Sequence, residues 1–208
     1  MLIALVLAMS ASTGCTRTLL DERFHDSRLI GWTVVDDPDV LEGPSHWQVG
    51  PDAWLHQSSN VWGRRGDFIG RWYGTFLIAG REDWSDYTFS VKARPEDDDG
   101  FGVVFRYRDP EHFYRLIMVR DGLNGGPLTR LDKRDGADYT ELWSAPSAYR
   151  TQTEATIEIS VTDNRIKATV DGRVLFELED GSYAQGKVGL FCFAQAGQAF
   201  DDARVTGR

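Results

Sequence analysis

Apolar and polar residues alternate along this chain with a period of two. Across 86–94, Tyr87, Phe89, Val91 and Ala93 fall on one side, and Asp86, Thr88, Ser90, Lys92 and Arg94 on the other. Phe101, Val103, Phe105 and Tyr107 share one face of a further strand, with Gly102, Val104, Arg106 and Arg108 opposite. Later, Ala155, Ile157, Ile159 and Val161 alternate with Thr156, Glu158, Ser160 and Thr162. Asp163-Asn164 turns the chain, and Ile166, Ala168 and Val170 run back. Asp171-Gly172 turns it again before Val174, Phe176 and Leu178. Strict alternation predicts half-buried strands, and Asp-Gly between two such runs predicts a tight hairpin. No helical period of any length follows Cys15. The pattern predicts an all-β fold, a two-sheet antiparallel β-sandwich. The first strand is expected at 19–25, pairing with the last one near Ala199 and Phe200 to close the domain.

One hairpin narrows this further. Asp97-Asp98-Asp99 leads into Gly102-Val103-Val104-Phe105-Arg106-Tyr107, Asp109-Pro110 turns, and Phe113-Tyr114 opens the returning strand. Ser45-His46-Trp47-Gln48-Val49 and Gly74-Thr75-Phe76 precede it in order, and Gly189-Leu190-Phe191 with Phe200-Asp201-Asp202 follow. This series resembles concanavalin A-like jelly rolls. It is most similar to the lectin-like C-terminal domain of thrombospondins and to laminin G-like and 3-keto-disaccharide hydrolase-like domains. The resemblance implies the fold and leaves the activity open, because lectins, glycosidases, lyases and adhesion modules share it.

Composition bounds the rest. The 208 residues, 41% of them hydrophobic, suffice for one packed domain. A net charge of −9 argues against nucleic acid and against an anionic membrane surface, since both need a basic field. Residues 1–15 read as an export signal, with a short apolar run at 2–9, small residues at 10–14, and then Cys15. That run is too short to span a bilayer. Small residues before a Cys resemble a bacterial lipobox, which implies lipidation of Cys15 and attachment to the cell envelope. Two features depart from it: no Lys or Arg precedes the run, and Ser12 stands where Leu is usual. Ordinary secretion is the alternative. The single domain is expected over 16–208. Cys192, in an apolar strand, reads as a buried small hydrophobe.

Three groups of residues are candidates for chemistry. Asp97, Asp98 and Asp99 could supply carboxylates and turn carbonyls to Ca²⁺; the plainer alternative is a solvated acidic turn. Asp201 and Asp202 form a second metal candidate, meeting Asp21 or Glu22 across the termini, or else a hydrogen-bonded cap. Arg106, Arg115, Arg120 and Arg130 on neighbouring strands, beside Tyr114, could line a groove for sugar hydroxyls; the alternative is cross-strand pairing with Asp109, Glu111, Asp121 and Asp132. Trp62, Trp72 and Tyr73 lie in an irregular segment where ligands often bind, with Gln57 as a polar partner. Trp32, Trp47 and Trp84 are expected in the core.

No Glu-x-Asp-x-Glu strand, metal-spaced His pair, phosphate loop or nucleophile elbow is present. The reading is therefore an exported, noncatalytic recognition module for a glycan or cell-surface protein, with Ca²⁺ as a candidate brace. It would meet a membrane only through a lipid anchor. A glycoside hydrolase of the same fold and a structural or adhesion module are the alternatives.

Overall fold

A computed structural model describes residues 16–38, 40–63 and 71–208. The leader and Cys15 lie outside the described residues. Among the described residues, fifteen strands form two antiparallel sheets. The first sheet runs in the order β13 (Arg173–Glu179), β12 (Arg165–Val170), β11 (Ala155–Thr162), β6 (Tyr87–Arg94), β15 (Gln198–Gly207), β4 (Leu55–Gln57) and β3 (Trp47–Val49). The opening strand β1 (Arg17–Glu22) also pairs with β15, Arg17 against Gly207 and Glu22 against Ala203. The termini are thus sewn together, two residues earlier in the chain than expected. The second sheet runs β10 (Asp138–Ala145), β9 (Leu128–Asp135), β8 (His112–Val119), β7 (Gly100–Asp109), β14 (Lys187–Phe193), β5 (Thr75–Ala79) and β2 (Trp32–Asp36).

The alternation positions the core. Tyr87, Phe89, Val91, Ala93, Ile157, Ile159, Val161, Ile166 and Ala168 are buried from the first sheet, against Phe101, Val103, Phe105, Leu116, Leu131 and Leu190 from the second. Trp32, Trp47 and Trp84 join them, as does Cys192, whose thiol is pushed well above its usual range by burial. Asp171 and Gly172 both adopt positive φ, 50° and 73°, as the tight hairpin between β12 and β13 requires. Gly102 is needed for close approach, because a Cβ there would stand 1.9 Å from the Leu116 carbonyl oxygen.

Two bulges overturn the simple alternation. The β7–β8 register shifts between Phe105 and Asp109, and Arg106 sits at φ 47°. An extra residue on one strand reverses the faces beyond it. Tyr107 therefore leaves the inner face of Phe101, Val103 and Phe105 and packs outside, with Phe76 and Phe113. The β12–β13 register shifts between Ala168 and Thr169, so Val174 is 57% exposed whereas Leu175 turns inward.

The second sheet is covered on both faces. Trp72, Phe76, Ile78, Val104, Phe113 and Phe191 belong to a separate buried cluster outside it, with Trp62 packed against them. The segments flanking the undescribed residues 64–70 are tied down onto this face. The Ala194 N–H donates to the Val61 carbonyl at 2.7 Å, and the Trp72 indole N–H to the Asn124 carbonyl at 2.9 Å.

Candidate functional site

Pairing of β8, β9 and β10 sets charged side chains in rows on this covered face. Arg115, Asp132 and Glu141 lie directly opposite one another, and the neighbouring rows are Ile117, Arg130 and Ser144, then Phe113, Arg134 and Tyr139. Arg115 and Asp132 face each other with opposite charges across β8 and β9, which favours that pairing, whereas Asp132 and Glu141 across β9 and β10 are both acidic. Asp132 is fully buried between two guanidiniums: Arg115 Nη2 donates to its Oδ2 at 2.9 Å, and Arg130 Nη2 to the same oxygen at 3.1 Å. Arg115 also donates to the carbonyls of Trp72 and Arg71, at 2.9 and 2.8 Å. Arg130 lies over the Trp72 ring at 4.2 Å and its side chain keeps 11% exposure, with the half-exposed Glu141 3.9 Å away. Arg134 pairs with the buried Asp37 at 2.6 Å, and Asp37 also accepts the Gly74 N–H at 3.0 Å. Burial pushes the Asp37 carboxyl up, opposed by the Arg134 charge and the Gly74 amide.

The residues proposed from sequence are thereby sorted. Arg115, Arg130 and Trp72 come together here, with Trp62 at the edge of the same cluster, and Tyr73 lies beside them against Arg134 and Tyr139. Trp72 and Tyr73 are buried, and Trp62 is half-buried, so the first two are not exposed stacking platforms. Arg106 is elsewhere, which corrects the four-arginine groove. The bulge sends its guanidinium to the edge of the sandwich, where it donates to the carbonyls of Tyr183 at 2.8 Å, Asp163 at 2.5 Å and Ser85 at 3.3 Å. Tyr114 is in the core between Phe105 and Tyr183, with its hydroxyl on the Asp180 carboxylate. Gln57 is fully buried in the first sheet and accepts the Ser59 N–H at 3.0 Å. Asp37, Arg134 and Tyr139 were missed. Their signal was present only as alternation within β9 and β10, and Asp37 reaches Arg134 from 97 residues away.

The acidic turn brings metal-competent oxygens of Asp97, Asp98 and Asp99 within 4.8 Å of one another. Its carbonyls are already engaged. Tyr149 donates to those of Asp97 and Asp99, Gln195 to that of Asp97, and the Arg120 and Asp121 amides to that of Asp98. Burial, then the charges of Asp97, Asp121 and Asp98, hold the Asp99 carboxyl up at about 7, opposed by the Asn124 side-chain amide. A carboxyl raised from 3.8 favours folding while protonated, so this contribution is present at low pH and is lost as pH rises through about 7. Asp99→Asn is therefore expected to melt a few degrees above the parent at pH 8 without metal, and to lose that advantage near pH 4; thermal melts across this range check it. Asp202 is differently placed: its Oδ2 lies 2.6 Å from Lys92 Nζ, so a cation already meets it. Asp201, beside it, is half-buried, and its carboxyl is raised by burial.

No protein-family model and no curated protein matches the chain. Solved structures do. The carbohydrate binding module CBM66 from Bacillus subtilis superposes with a TM-score of 0.64 at 15% identity, over 83% of this chain and 93% of that one. A Bacillus subtilis protein of unknown function with a galectin-like fold gives 0.64 at 12% identity, over 92% and 97%. Domain 4 of the extracellular arabinanase AbnA from Geobacillus stearothermophilus, solved in complex with arabinotriose, gives 0.54 at 16% identity, over 92% and 93%. At such identities the likeness is one of fold: this chain is an all-β, two-sheet antiparallel sandwich of the galectin and concanavalin A-like type.

Proposed function

We propose that the protein is a noncatalytic glycan-recognition module of the cell envelope, and that the margin of the outer face of its second sheet, where Arg130 and Glu141 reach solvent, holds the sugar. The observation that carries this is the Arg115–Asp132–Arg130–Glu141 network, built in register across three strands and packed against Trp72. Asp132 holds Arg130 in one orientation, 3.9 Å from the exposed Glu141 carboxylate. Sugar hydroxyls both donate and accept, and a fixed donor beside a fixed acceptor discriminates among them at low entropic cost. Fold neighbours, one a carbohydrate binding module and another an arabinanase domain solved with arabinotriose, support the same reading.

A screen of the purified protein against soluble polysaccharides, arabinan among them, tests this. Saturable binding to a defined glycan is expected, weakened roughly tenfold or more by Arg130→Ala, as for loss of a charge-assisted hydrogen bond. Binding that Arg130→Ala and Glu141→Ala leave unchanged would remove the site, and absence of glycan binding would remove the function.

Calcium belongs to the same proposal as a brace. The carboxylates of Asp97, Asp98 and Asp99 would hold it, with water completing the shell, because the turn carbonyls are taken. Melting at pH 8 is expected to rise with Ca²⁺ over EDTA in the parent and not in Asp99→Asn; equal melting in both buffers ends the idea. Export and lipid attachment through Cys15 complete the proposal, and an unmodified Cys15 in the membrane fraction by mass spectrometry would overturn the anchor.

A further inference from the structure

The sheets part at one end of the sandwich, beside the loop from β10 to β11, and leave a cavity of about 440 Å³. Its walls are Phe101 and Met118 from the second sheet, Val170 and Leu175 from the first, and Ala148 and Tyr149 from the loop. Leu175 reaches it only because of the bulge in β13, which turns this residue inward and Val174 out. Tyr149 is held by its hydroxyl on the Asp97 and Asp99 carbonyls, so that wall is anchored to the acidic turn. The volume lies within the range of small-molecule sites.

The mouth carries charges of both signs, Arg150 and Arg173 beside Glu154 and Asp171. Arg150 and Arg173 line it, and neither has a hydrogen-bond or ion-pair partner among the described residues. The two acids of the same rim are occupied: Asp171 Oδ1 accepts the Thr156 N–H at 2.8 Å, and Glu154 is 4.0 Å from Arg94. Two available guanidiniums over an apolar floor favour an oxyanion outside and a hydrocarbon inside.

We infer that this cavity binds a compact amphiphile with an apolar body and a single carboxylate or sulfonate head. The body covers the partly buried Tyr149, Val170 and Leu175, and the head meets Arg150 and Arg173. The chain as a whole is acidic, so recognition of the anion is local, and it weakens as salt screens the exposed guanidiniums. The site lies between the sheets and shares no residue with the glycan face.

The test uses the full chain, with 1-anilinonaphthalene-8-sulfonate as a fluorescent probe and decanoate as its competitor. One saturable dye site, displaced by decanoate, is expected. Arg150→Ala combined with Arg173→Ala should weaken decanoate roughly tenfold or more, with the melting temperature unchanged because both side chains are exposed. Ala148→Trp, which fills the cavity from the loop, should abolish dye binding. Calorimetry with decanol should show weaker binding than with decanoate. Absence of saturable binding, dye that decanoate does not displace, decanol binding as tightly as decanoate, or full binding in both variants would each overturn the inference.

Discussion

Asp132→Ala is expected to cost about 3–5 kcal/mol of folding stability, the penalty for stranding buried charge, and to lower the melting temperature by roughly 10 °C in a chain of this size. Asp132 is the carboxylate that pairs with the fully buried Arg115, and Arg130 leans on it too. Removing it leaves two guanidiniums on a face packed with Trp72, Tyr139 and Phe191. Asp132→Asn keeps an acceptor of the same shape and should fall between the two. Replacing Arg115, Arg130 and Asp132 together by apolar residues of similar volume should recover most of the lost stability, since no charge is then stranded. It should not recover glycan binding. Chemical denaturation of the four proteins checks the order. A single alanine variant as stable as the parent would mean that water reaches this network and that Arg130 is not rigidly held.

Arg106→Ala is expected to destabilise by about 3 kcal/mol while leaving glycan binding intact at temperatures well below the melt. Its guanidinium satisfies the carbonyls of Tyr183, Asp163 and Ser85, and each buried acceptor left without a donor costs about 1–3 kcal/mol. Water can reach two of the three, which are only partly buried, and this holds the sum below the full penalty. Arg106→Lys should rescue only in part, because an ammonium has no planar fork to reach three carbonyls at once. Paired with Arg130→Ala the experiment is discriminating: Arg106→Ala should leave affinity unchanged, and Arg130→Ala should weaken it. Loss of affinity in Arg106→Ala at unchanged stability would restore it to the binding site.

Much of the architecture was legible in the residues. Tyr87, Phe89, Val91 and Ala93, and later Ile157, Ile159 and Val161, face the core where their period of two places them. Asp171-Gly172 turns the chain as its chemistry requires. Legibility stops where one strand takes an extra residue. Nothing local in Phe105-Arg106-Tyr107 says that a bulge will turn Tyr107 out and bury Arg106 against loops up to 77 residues away. The same holds for Val174 and Leu175, and so for the cavity that Leu175 lines.

What the sequence determined by itself is the class of fold, its hairpins, the closing of the termini and most of the inner core. These depend on the alternation of side chains along a strand and on turn residues, both local properties. The tertiary structure alone decided which polar residues meet. Arg115, Arg130 and Asp132 share a site because three strands pair in one register, and Asp37 joins Arg134 because a distant segment crosses the sheet. Tyr114 and Arg106, equally plausible as residues, went to the core and to an edge. The physical reason is that burial of a charge is worthwhile only when its partners arrive with it, and those partners come from strands whose register no local pattern encodes.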